Sequence, residues 1–160
     1  MCIGIAIDVQ LLTETFLSRF GLRSHMQSDL FHSPQELQFR YNDPIPQLPI
    51  QRIDVDGIRG EAWDLALWGN RDNPISRLPR TGWAREESVL TGKWRGYQPE
   101  QVIIPAQRGC EKGVWFPVAA GMQGLLVTDE HRTPHVYMLT RAATPEYAAL
   151  TKHDRMPIFV

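Results

Sequence analysis

Short apolar runs recur at close intervals along this chain, and they limit its fold more than any other feature. "CIGIAI", "QVIIPAQ", "VWFPVAAG", "GLLVTD", "HVYMLTR" and "RMPIFV" are each strand-sized and bounded by Gly, Pro, Asp or polar residues. Two further runs, residues 48–53 and 61–68, are joined by a glycine-containing turn, which predicts a hairpin. Helical periodicity is confined to "DVQLLTETFLSRFG" and "ATPEYAALTKHD". In the first, Leu11, Leu12, Thr15, Phe16 and Phe20 fall on one face, with Asp8 as N-cap and Gly21 as stop. The second starts through Thr144-Pro145, a favourable first turn. "RSHMQSDLFHSPQELQ" carries weak signals and "NRDNPISRLPRTG" reads as a loop. Many short strands with two or three helices predict an α+β or mainly β fold, residues 1–160 forming one domain.

No run comes near the roughly 18 apolar residues that span a bilayer, so no membrane association is expected. Polar residues from Asp8 onward interrupt any secretion-signal pattern. Two cysteines, Cys2 and Cys110, make no disulfide framework, which fits a reducing, cytoplasmic compartment. His131 and His135 have metal-ligand spacing, but Pro134 lies between them and no third ligand is near, so no metal or other cofactor is expected. Residues 59–112 hold nine Lys/Arg against seven Asp/Glu and four of the five tryptophans, Trp63, Trp68, Trp83 and Trp94. Cations interleaved with aromatics suit a single-stranded nucleic-acid groove. The same composition also describes a tryptophan core under a solvated arginine face. At least one of Trp63 and Trp68 is expected to be buried.

Cys2 poses the functional question. If Met1 is removed, residue 2 carries an α-amine and a thiol, titrating near ~7.7–8.0 and ~8.5. Both are then partly reactive near neutral pH. The alternative is a small hydrophobe opening a buried strand.

"MC" at the start and "HDRMPIFV" at the end resemble the SRAP family, the SOS-response-associated peptidase or abasic-site-shielding domain. Between them "RYNDPIP", "AWDLALWG", "WAREESVL", "VIIPAQRGCEKG" and "VYMLTRAA" resemble internal family motifs in the family's order. The resemblance covers nearly the whole chain. It implies a curved, mainly antiparallel sheet or barrel-like core with a few helices. It implies binding of single-stranded DNA and covalent capture of abasic sites, with AP-lyase activity as a companion. The Cys2 amine would form a Schiff base with the sugar aldehyde, and the thiol would close a thiazolidine. By the same resemblance Glu111 and His153 are the acid/base residues, Arg85 and Arg155 contact the DNA backbone and Asn42 lines the site; Trp68, Arg77 and Trp83 are further candidates for DNA contact. A monomer is expected.

Each residue has a plainer reading too. His153 can serve a helix C-terminus, Glu111 can be an exposed turn residue, and Arg155 can pair with Asp154 or Glu146. The chain departs from the family at Trp83, where asparagine is usual, at Gly4, where arginine is usual, and at Gly109, Cys110 and Lys112 around the glutamate. Two functions of different class follow: abasic-site capture, or a single-stranded DNA-binding module that keeps the fold without the chemistry. Proteolysis, suggested by the family's older name, has self-removal of Met1 as its only sequence support.

Overall fold

The structure is a computed structural model and describes residues 2–8, 11–12, 14–21 and 36–160. Strands β1 (Gly4–Asp8), β2 (Glu36–Arg40), β7 (Arg108–Glu111) and β8 (Val114–Pro117) form an antiparallel sheet in the order β2-β1-β7-β8. The second unit is built from β3 (Gln47–Ile53), β4 (Arg59–Trp68), β6 (Glu100–Ile104), β9 (Met122–Thr128) and β10 (Pro134–Ala142). Four antiparallel pairings run β4-β3-β6-β9-β10, and a parallel pairing of His135 and Val136 with Leu67 and Trp68 returns β10 to β4. The result is a closed five-stranded barrel, which leaves those strands no free edge. The fold is therefore α+β with a barrel core, as the sequence predicts.

Period-2 alternation sets the faces. Ile5 and Ile7 of β1 and Leu37 and Phe39 of β2 point inward onto Leu48, Ile50, Val102, Ile104 and Met122 of the barrel, all nearly without exposure. Burying such a side chain is worth about 1.5–3 kcal/mol. A second cluster, Leu78, Ala84, Trp94, Leu125, Val127, Tyr137, Leu139 and Ile158, lies elsewhere against the barrel. Trp68 is fully buried and its indole N–H donates to the Gly82 carbonyl at 3.0 Å. The role assigned to Trp68 in contacting DNA is thus corrected: a ring with no exposed face cannot stack on a base, and Trp68 is a core residue.

Among the described residues three α-helices flank the strands: α1 (Glu14–Arg19), α2 (Glu86–Leu90) and α3 (Pro145–Thr151). Helix α3 follows the sequence reading, with the Thr144 hydroxyl accepting from the Tyr147 amide. The first helix is shorter than the periodicity suggests. Asp8 ends β1 instead of capping α1, because its amide donates to the Gln107 side chain, and Leu11 is exposed. Most of the weak stretch before β2, residues 22–35, lies outside the described residues.

Two short strands matter for the site. β5 (Trp83–Arg85) runs parallel to β10, pairing Arg85 with Thr140, and β11 (Arg155–Pro157) pairs antiparallel with the same strand, Ala142 opposite Arg155. In the sequence, β5 is part of a longer motif and β11 is a closing strand. Pairing with β10 is what gives three residues of "WAREESVL" a strand conformation.

Candidate functional site

Cys2 lies just before β1. Its neighbour Ile3 donates its amide to the Cys110 carbonyl at 2.8 Å, which docks the start of the chain onto β7. Glu111 ends β7 at a two-residue hairpin. Lys112 and Gly113, the two central residues, both have positive φ, the type I′ conformation that fits the twist of paired strands. The turn holds Glu111 opposite Val114, and Glu111 is 2% exposed, so it is not an exposed turn residue.

Lys112 then reaches from the hairpin tip and donates through Nζ to the Lys152 carbonyl at 2.7 Å. Lys152 is the left-handed C-cap of α3 and directly precedes His153. The Glu111 and His153 segments, 42 positions apart in the sequence, are tied together by this bond. His153 is partly buried. The Arg155 amide donates to its Nδ1 at 3.0 Å, and Asp154 Oδ1 lies 3.3 Å from the same nitrogen. Its Nε2 has no protein partner among the described residues.

The Cys2 side chain has no exposure, and its thiol donates to the Gly4 carbonyl at 3.1 Å. Burial is the main force pushing the thiol up from an ordinary 9.0 to about 12; the nearby Glu111 and Cys110 charges push the same way. Trp83 holds the other end of the residue. Its indole N–H donates to the Cys2 carbonyl at 3.0 Å, and its ring packs against Tyr41 at 4.6 Å and Trp68 at 6.0 Å. Trp83 therefore supplies a donor to the backbone of Cys2. The sequence offers no signal for this link, because it crosses from β5 to the start of the chain.

Tyr147 completes the cluster. It sits on the first turn of α3, its ring edge-on to Phe116 at 5.2 Å, and its hydroxyl is buried with no hydrogen-bond partner among the described residues. Burial raises its pKa above the ordinary phenol range, and Cys2, Glu111 and Cys110 add to the rise. Gly109 makes room for this packing. A Cβ there would lie 2.4 Å from the Phe116 ring, so Phe116 occupies the space that an aromatic at 109 would need.

The residues assigned to DNA contact separate into groups. Arg85 and Arg155 share a cavity of about 450 Å³ with Glu87, Ser88, Thr91 and Lys93. Within it Arg155 forms a bidentate pair with Glu87 at 2.8 and 3.0 Å and donates to the Thr140 carbonyl at 2.8 Å. Arg155 pairs with Glu87 rather than with Glu146. That hydrogen-bonded pair draws the exposed Glu87 carboxyl down to about 2.

Asn42 lies on the exposed turn after β2, next to Tyr41, whose amide donates to the Ile3 carbonyl at 2.9 Å. Asn42 thus stands near the start of the chain. Arg77 stands elsewhere. Its amide donates to Glu130 at 2.9 Å, in the β9–β10 turn, at the opposite end of β10 from Arg85 and Arg155. At about 3.3 Å per residue this is on the order of 20 Å away. Any strand touching all three arginines must run the length of β10.

Arg71 is committed to the protein, donating to the carbonyls of Tyr41 and Asp43 at 2.8 and 2.9 Å and pairing with Asp72. His135 is buried with Nδ1 2.7 Å from the Gly69 carbonyl and Nε2 3.0 Å from Asp129 Oδ2, so neither nitrogen is open to share a metal with His131. Among the described residues no group of three His, Cys, Asp or Glu could hold a metal ion, and no helix is long and apolar enough to cross a membrane.

Compared with protein-family models, curated proteins and solved structures, the chain matches none of them.

Proposed function

We propose that the protein binds single-stranded DNA and captures abasic sites covalently through Cys2 once Met1 has been removed. The observation that supports this reading is that Cys2 docks beside Cys110 and Glu111 of β7, with the Tyr147 phenol near enough to interact with all three and the His153 segment tied alongside. The ring-opened abasic sugar presents an aldehyde. The Cys2 amine adds to its carbon and water leaves, giving an imine. The thiol then adds to the imine carbon and its proton ends on nitrogen, closing a thiazolidine. Burial keeps that thiol protonated at neutral pH, so ring closure needs a base beside it, and Glu111 is the adjacent proton acceptor. His153, with Nε2 unengaged, serves proton transfer during sugar opening. Arg85, Lys93 and Arg155 form the cationic surface for the flanking phosphates.

The test is incubation with an abasic single-stranded oligonucleotide followed by a denaturing gel. A shifted covalent band is expected from the wild type and none from a protein extended before Cys2. No band from a protein whose intact mass shows Met1 removed would sink the reading.

A second reading is favoured by the complete burial of Cys2. In it the protein binds single-stranded DNA without capture, and Cys2 is a packing residue. Salt-sensitive binding with no covalent band is the result that would select it.

A further inference from the structure

We infer that Tyr147 is a catalytic residue of the Cys2 site, donating a hydrogen bond and a proton to the aldehyde oxygen of the abasic sugar; this rests on the capture reading above. Tyr147 is held on three sides. The Thr144 hydroxyl accepts its amide, its carbonyl accepts from the Thr151 hydroxyl at 2.8 Å, and its ring meets Phe116. The phenol therefore has a set position in the core that contains Cys2. Its oxygen is buried and has no hydrogen-bond partner among the described residues, a cost that phenylalanine of the same shape would avoid. Packing explains the ring but not the hydroxyl.

The chemistry of the neighbours says what the hydroxyl suits. Cys2, Cys110 and Glu111 all interact electrostatically with the phenol. With burial they keep it protonated, so at neutral pH it is a donor. An aldehyde oxygen has lone pairs and no proton, so it can only accept. The step balances without any further reagent. The amine lone pair forms the N–C bond while the C=O π pair moves to oxygen. That oxygen takes the Tyr147 proton, and the phenolate recovers a proton from the nitrogen. The product is a carbinolamine, and the same phenol can protonate its hydroxyl as water leaves. Tyr147 gives protons where Glu111 takes them, so the two roles are complementary.

The experiment compares wild type with Tyr147→Phe in single-turnover capture of an abasic single-stranded oligonucleotide. The expected result is a rate lower by about 100-fold, the lower end of the range for general acid–base catalysis. DNA affinity should stay within twofold, and the melting temperature should be equal or higher because only an unpartnered hydroxyl is lost. Capture at the wild-type rate would overturn the inference and leave the capture reading standing. A parallel loss of affinity would assign Tyr147 to DNA binding and also overturn it. A wild-type protein that forms no band removes the capture reading and this inference with it. If Tyr147→Phe melts early, site-specific fluorotyrosine at 147 keeps the shape and acidifies the phenol. The single-turnover capture rate at neutral pH should then differ from wild type, and an unchanged rate would overturn the inference.

Discussion

The Cys2 cluster and the Arg85–Arg155 cavity are built from neighbouring elements, yet they place ionisable groups in opposite surroundings. In the cluster, burial dominates: the Cys2 thiol rises to about 12 and the Tyr147 phenol rises too, so each keeps its proton at neutral pH. In the cavity, pairing dominates: Arg155 draws the exposed Glu87 carboxyl down to about 2, so both partners stay charged. Under the capture reading, the difference suits one region to proton transfer and the other to phosphate. Neutral groups held in a dry site can exchange protons with a substrate, whereas solvated charges attract a polyanion and are screened by salt.

The contrast breaks most sharply at the amine of Cys2. Under the capture reading, an extra residue before Cys2 should abolish both the crosslink and strand nicking on a denaturing gel, while the cavity continues to bind DNA. Cys2→Ala keeps the amine and loses the thiol, so an imine should form and nick without a stable ring. An equal yield of stable crosslink from Cys2→Ala would assign the chemistry to another nucleophile.

Glu111→Gln keeps the size and removes the proton acceptor. Capture should slow by about 100-fold with affinity unchanged within twofold. A matched loss in both would place Glu111 in DNA binding and dissolve the division between the two regions.

Stability at alkaline pH tests the buried side of the comparison alone. The native state holds the Cys2 proton up to about 12, whereas the unfolded chain releases it near ~8.5. Between those values the unfolded state binds fewer protons, so stability falls as pH rises, by about 1.4 kcal/mol per pH unit. Below ~8.5 this contribution is fully present. Denaturant titrations of Cys2→Ala should show a shallower decline over that window, and parallel curves would place the thiol in water.

The smallest effects belong to the cavity. Lys93→Ala should reduce the log–log salt slope of single-stranded DNA binding by about 0.7, one phosphate contact. Glu87→Gln should raise affinity a few-fold, because Glu87 occupies the Arg155 guanidinium that a phosphate would otherwise take. Since that carboxyl titrates near about 2, the gain should be constant from pH 5 to 9. Weaker binding by Glu87→Gln would show that the pair positions Arg155 for DNA instead of competing with it.

Several elements were legible because their signals are local. Thr144-Pro145 opens α3, the glycine turn joins β3 to β4, and apolar runs mark β6, β9 and β10. The expectation that at least one of Trp63 and Trp68 is buried is met by Trp68; its assignment to DNA contact is not. Other features were hidden for equally physical reasons. "WAR" has no strand pattern of its own and becomes β5 because β10 runs past its pairing with β4, and Met138–Thr140 take up Trp83–Arg85 there. The periodic pattern overstates α1 because it cannot show that Asp8 already ends β1. The site residues divide in the same way. Cys2 stands out by its position, Glu111 and His153 only through a resemblance of motifs. Nothing in the sequence pointed to Tyr147 or to the Trp83 bond, since both depend on contacts between segments far apart in the chain.

By itself, the sequence determined which stretches alternate, where the chain must turn and which residue types are present to do chemistry. These depend on propensity and periodicity over a few residues. Tertiary structure alone decided that β10 returns to β4 and closes the barrel, that a lysine at a hairpin tip brings Glu111 toward His153, and that Cys2 and Tyr147 share one dry core. Those outcomes depend on non-local pairing and on the water excluded by it. A thiol two residues from the start of a chain has an ordinary pKa until the fold encloses it.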